Sequence, residues 1–168
     1  VIPGGAEAPA IALQTALKDD LGHGKSALIP SGIIATPRAA ALINGTASHT
    51  LEVDDIFRDG IYHPSPPVIS AAIAAAQLMC SSGTELITGV VAGYEVSNRI
   101  AAAVQPAHYD YWHTTGTVGA FGAAAAASAA TAADKVEASS AARSLPSTRA
   151  GGQDDVSPVS YTHLTLPT

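Results

Sequence analysis

Apolar residues recur at helical spacing along most of this chain, in a background rich in alanine. That pattern limits the possible folds more than any other feature. Ile69, Ala72, Ile73, Ala76 and Cys80 lie on one face of a 3.6-residue period. The next segment opens with Ser82-Gly-Thr-Glu85, a capping box, and continues with Ile87, Val90, Val91, Tyr94 and Ala101 on one stripe. Thr36-Pro37 offers a capping hydroxyl and then proline at the first helical position, and the helix it starts is predicted to run to about Asp55. A further helix is predicted from about Thr115 to Ala133, where Gly116, Gly119 and Gly122 would let a neighbouring backbone come close. Glu7 to Leu21 also reads as a helix, stopped by Gly22 and Gly24. Lys25 to Ala35 is a short hairpin at most, and Phe57 to Pro67 is a loop. The expected fold is therefore all-α, a helical bundle-like arrangement with at most one hairpin. Lys135 to Leu145 starts another helical pattern, whereas Pro146 to Thr168 has no apolar period. The expected division is a helical domain over 1–145 and an unstructured, non-native tail over 146–168.

Composition removes several classes of function. Hydrophobic residues make up 47% of the 168, which favours a packed core over disorder. The net charge of −6 leaves no basic patch to neutralise phosphates, so nucleic acid is not an expected partner. An anionic ligand would need a local cationic cluster. A single cysteine, Cys80, excludes a disulfide framework and a cysteine-based zinc site, and its place on the apolar stripe predicts a buried thiol. Thr114 to Ala133 carries no charge, but alanine, glycine, serine and threonine dominate it, so no membrane span is expected. With no signal peptide apparent, the expectation is a cytoplasmic protein. The first residue is Val1 and the single methionine is Met79, so the chain is expected to be a fragment or a processed piece.

Two histidine-bearing segments hold most of the groups suited to acid–base chemistry. In the first, His49, Glu52 and Asp55 would share one side of a helix, with Asp54 turned about 100° away. A carboxylate beside an imidazole is the usual way to prepare a general acid or base; solvated acids at a helix end are the plain alternative. His63 follows in a loop stiffened by Pro64, Pro66 and Pro67. In the second segment His113 follows Tyr109, Tyr111 and Trp112 and precedes Thr114, Thr115 and Thr117. There the free N–H groups of a helix start, with threonine hydroxyls, would favour a carboxylate. An aromatic staple on the helix end is the alternative. Asp54, Asp55, Asp59 and His63 fit no established metal-ligand spacing, so no metal is expected. The Gly116, Gly119, Gly122 series is neither a dinucleotide fingerprint nor a phosphate loop, and no serine sits in a nucleophile elbow.

These segments together resemble the MmgE/PrpD family, that of 2-methylcitrate dehydratase and cis-aconitate decarboxylase. The residues that carry the resemblance are Asn44-Gly-Thr-Ala-Ser-His49, Leu51-Glu-Val-Asp-Asp55 and His63-Pro64, then Val90-Val-Ala-Gly-Tyr-Glu95-Val and Trp112-His113-Thr-Thr-Gly-Thr-Val-Gly-Ala-Phe-Gly. The resemblance covers about Ala6 to Ala133. It implies part of a large helical domain, no cofactor, a small anionic polycarboxylate as substrate, and a homodimer for the intact protein. It implies a hydro-lyase acting on a 2-methylcitrate-like hydroxy acid, with a decarboxylase, an epimerase or a non-catalytic dimerisation module as alternatives. By resemblance His63, His113, Asp54, Asp55 and Glu52 are the expected catalytic residues; His49, Thr114 and Thr115 are expected to bind substrate. The two segments would then be two walls of one site. Glu52 stands where the family typically has Asp, and Ile56 where it typically has Thr.

Overall fold

The computed structural model describes residues 1–132. Five helices and one antiparallel strand pair make up the regular structure described. In chain order these are α1 (Ala8–Ala16), β1 (Leu21–Ala27), β2 (Ile34–Ala35), α2 (Pro37–His49), α3 (Ser65–Met79), α4 (Gly83–Val104) and α5 (Thr114–Ala130). Short 3-10 turns occupy Gly4–Ala6, Lys18–Asp20 and Arg58–Gly60. The predicted helix at Lys135 to Leu145 and the tail at 146–168 lie outside the described residues.

The fold is mostly α, with the single hairpin the sequence allows. Thr36 caps α2: its hydroxyl accepts from the Ala39 amide at 3.3 Å and donates to Asp20 at 2.9 Å. The capping box of α4 forms with both of its reciprocal bonds, Ser82 to Glu85 and back. α3 is the central helix, and no residue from Tyr62 to Ala76 is exposed. It packs on α2 on one side and on α4 and α5 on the other. Small side chains make this possible, because Ala72, Ala74 and Ala76 let neighbours approach from opposite directions.

Several expectations are corrected here. The first helix stops at Ala16, and the chain reaches the glycines already extended: Gly22 and Gly24 sit at positive φ inside β1. On α4 the buried face is Gly89, Gly93, Ser97 and Ala101, spaced four apart, while Ile87 and Val91 are exposed. Close packing against α5 selects small residues there, and the larger apolar ones are displaced outward. Gly119 and Gly122 meet neighbours as expected, Pro67 and Ser97 respectively, whereas a Cβ on Gly116 would meet nothing within 4 Å. Cys80 is exposed, because it is the left-handed C-cap of α3 at φ 56° and lies past the packed face. Among the described residues no helix is long and apolar enough to cross a membrane.

Candidate active site

The most consequential correction is that α2 ends at His49. Thr50 is its C-cap, and Glu52 adopts a left-handed φ of 52°. His49, Glu52 and Asp55 therefore do not share a helical face. The irregular stretch after α2 turns Asp54 inward instead. Its side chain is only 5% exposed, and its Oδ2 lies 2.9 Å from His49 Nδ1 and 3.5 Å from His63 Nδ1. The two imidazole rings are 4.9 Å apart, centroid to centroid. A carboxylate only accepts, so His49 carries a proton on Nδ1 and donates it to Asp54. The distance from His63 is longer than a well-formed hydrogen bond. His63 Nδ1 and Asp54 Oδ1 are both buried without a partner among the described residues. Glu52 is mostly exposed and reaches His49 Nε2 only at 3.8 Å.

The cluster lies between two openings. A cavity of about 250 Å³ has Asp54 in its wall, with Ile29, Asn44, Val53, Ser65 and Ile69. A more open groove of about 280 Å³ is lined by Thr46, His49, Pro67, Thr115 and Gly116. His49, Asp54 and His63 offer ligand atoms within 4.8 Å of one another, so this trio is the set that could hold a cation. It shares only Asp54 and His63 with the acid-rich set considered from spacing.

Asp55 faces away from the trio. Its Oδ1 accepts from the Ser65 amide at 3.1 Å and its Oδ2 from the Tyr94 hydroxyl at 2.9 Å. Burial pushes the Tyr94 hydroxyl above its usual range, and its bond to Asp55 and that carboxylate's charge add to the shift. Tyr94 is therefore a neutral donor throughout the ordinary pH range. Tyr62 is fully buried, its hydroxyl without a partner among the described residues, and it is shifted upward first by burial.

The second segment meets the first through one bond, from the His63 amide to Thr115 Oγ1 at 3.2 Å. Thr114 is fully buried, its hydroxyl accepting from the Gln105 amide at 2.7 Å, and that amide also donates to the Gly60 carbonyl at 2.9 Å. His113 is exposed at the N-cap of α5 and lines a shallow depression with Tyr109, Tyr111 and Trp112, outside the trio. Two residues of the motifs hold the site in ways that spacing did not reveal. Asn44 donates to the Ala27 carbonyl at 3.0 Å and accepts from the Ile29 amide at 2.9 Å, which ties α2 to the hairpin. Tyr94 lies on the apolar stripe of α4, where a tyrosine needs a partner for its hydroxyl, and Asp55 is that partner.

A family model described as the MmgE/PrpD N-terminal domain matches residues 2–153. The chain belongs to the MmgE/PrpD family. That makes it part of a dehydratase and decarboxylase family, with the helical architecture described above. No curated protein matches the chain.

Proposed function

We propose that the intact protein is a hydro-lyase that removes water from a small hydroxy-polycarboxylate of the 2-methylcitrate type. What supports the reading is one observation above all: two histidines converge on one buried carboxylate, His49 at 2.9 Å and His63 at 3.5 Å from Asp54 Oδ2. In this scheme Asp54 faces Nδ1 of His63 and favours a proton there, which leaves Nε2 with the lone pair of a base. His63 takes the proton from the carbon beside a substrate carboxylate. The C–H electrons form the new double bond as the C–O bond breaks. The leaving hydroxyl takes the Nε2 proton of a His49 that enters the step doubly protonated, its Nδ1–H staying on Asp54, and departs as water. Thr115 and the exposed His113 at the start of α5 receive a substrate carboxylate, aided by the free N–H groups of that helix end. No cofactor enters this scheme. A homodimer, expected from family membership, and a cytoplasmic location, expected from the sequence alone, are part of the same proposal.

The test uses the full-length protein and a panel of di- and tricarboxylates with and without a hydroxyl. Ultraviolet absorbance of a newly conjugated double bond reports dehydration, and released carbon dioxide reports decarboxylation. His63→Ala should lower kcat by about 10²–10⁴-fold, the usual contribution of a positioned acid or base. Carbon dioxide without water loss would replace the hydro-lyase reading with the decarboxylase one. Full activity in His63→Ala would remove His63 from the mechanism.

A further inference from the structure

The segment between Asp54 and His63 is closed at its base by Asp55. One carboxylate oxygen accepts from the Ser65 amide at 3.1 Å, ten residues on, and the other from the Tyr94 hydroxyl at 2.9 Å. Asp54 and His63 flank that closure, one immediately before it and the other two residues before Ser65. Within the loop a second closure pairs Phe57 with Tyr62, the Phe57 amide donating to the Tyr62 carbonyl at 2.7 Å. Gly60 is packed so closely that a Cβ there would lie 2.8 Å from the Phe57 ring. The loop is thus held inside by its own backbone, by burial of Tyr62 and by the Gln105 side chain on the Gly60 carbonyl, and the His63 amide is tied to Thr115. At its base the Asp55 carboxylate is tied to α4 by the Tyr94 hydroxyl.

We propose that Tyr94 is a positioning residue for the site. Acting through Asp55, its hydroxyl fixes the base of the 55–65 loop on α4 and so sets the spacing of Asp54 and His63. The ring of Tyr94 packs against the cluster of Val68, Ala72 and Ala126, so ring and hydroxyl have separable roles. Removing the hydroxyl alone frees one Asp55 oxygen and lets the base of the loop shift while the core stays filled. A shift of about 1 Å at a reacting group can cost on the order of a hundredfold in rate. The kinetic part rests on the acid–base reading above. The geometric part does not.

The experiment compares Tyr94→Phe, Asp55→Asn and Asp55→Ala in the full-length protein. Three quantities are read: kcat and KM with the best substrate of the panel, the melting temperature, and the imidazole nitrogen shifts of His49 and His63 by ¹⁵N NMR. Tyr94→Phe should lower kcat by up to about a hundredfold and change KM much less. It should also move the His63 imidazole signals. Asp55→Asn keeps an oxygen for the Ser65 amide and should lose less than Asp55→Ala. Unchanged His63 signals in Tyr94→Phe would overturn the proposal. So would losses of kcat that merely track melting temperature across the three variants. If wild type turns over no substrate in the panel, the acid–base reading falls, and the NMR comparison still decides whether Tyr94 sets the geometry.

Discussion

The α4–α5 contact and the segment from Thr50 to Ser65 are built on opposite principles. The helices meet through Gly89, Gly93, Ser97 and Ala101 on one side and Gly122, Ala126 and Ala130 on the other. The only polar side chain among them, Ser97, turns its hydroxyl back to the Gly93 carbonyl at 2.7 Å. The segment has little regular structure, places Glu52 and Ile61 at positive φ, and carries Asp54, Asp55 and His63. Close backbone approach gives the helix pair its stability and leaves no room for chemistry. A few directed hydrogen bonds hold the segment, which leaves its acids free to be aimed. Substitutions should therefore divide cleanly, breaking the fold in one region and the chemistry in the other.

The largest effect belongs to the helix pair. A Cβ on Gly93 would lie 2.6 Å from Val68 Cγ1 and 2.8 Å from the Gly122 carbonyl oxygen. Neither neighbour can retreat without moving a helix. Gly93→Leu should cost about 3 kcal/mol, the upper end for overpacking, read as a lower urea midpoint by circular dichroism. Gly116→Ala is the contrasting case, since no neighbour lies within 4 Å of a Cβ there. It should stabilise α5 by up to about 1 kcal/mol through helix propensity. Equal effects from the two glycines would mean that the packing distinction fails.

The segment should behave the other way. Asp54→Asn keeps the shape of a 5%-exposed side chain but removes the charge that both histidines face. It should lower kcat about a hundredfold, about 2.7 kcal/mol of barrier. The unfolding free energy should change by less than about 1 kcal/mol, because Asn keeps an oxygen to accept from His49 while removing the desolvation penalty of a buried carboxylate. A collapse of stability with little change in rate would make Asp54 a structural residue and dissolve the contrast between the two regions.

The helical framework was legible because it depends on local signals: the Thr36-Pro37 start, the Ser82–Glu85 box and the 3.6-residue period each act within a turn or two. Which side of α4 would be buried was less legible. Hydrophobicity pointed to Ile87 and Val91, but how closely a neighbouring helix approaches is a tertiary property, and it selected glycine, serine and alanine. The sequence drew attention to the segments that hold His49, Asp54 and His63, but grouped their residues in a different geometry. Helical periodicity grouped His49 with Glu52 and Asp55. The helix ends at His49, and the irregular turn that follows, with Glu52 left-handed, brings Asp54 inward and leaves Asp55 to Tyr94. A single backbone angle of this kind leaves no pattern at any spacing.

That angle gives the next prediction. Glu52 sits at φ 52°, where a side-chain-bearing residue is strained by roughly 1–2 kcal/mol relative to glycine. Its side chain is 69% exposed and makes one loose approach to His49 at 3.8 Å. Glu52→Gly should therefore raise stability by up to about 1 kcal/mol, part of the relief being offset by the freer unfolded chain. Glu52→Ala, which loses the carboxylate and keeps the strain, should not. If both variants are equally destabilised, the carboxylate matters and the strain does not.

The smallest effect lies at the exposed start of α4, the same helix whose middle tolerates nothing. Ser82 Oγ accepts from the Glu85 amide at 3.3 Å, and Ser82→Ala should cost about 1 kcal/mol, the usual value of such a cap. Glu85 completes the box by accepting from the Ser82 amide, and that backbone bond holds its carboxyl below the ordinary value of 4.5. A carboxyl lowered in the folded state stabilises the fold above its unfolded pKa, and the contribution fades as pH falls through the folded value. Wild type should thus be the more stable of the pair with Glu85→Gln at neutral pH. The gap should close as acid protonates the carboxyl. A gap of the same size at both ends of that titration would show that the carboxylate's charge plays no part in the cap. The start of α4 would then be held by shape alone, as its glycine-lined middle is.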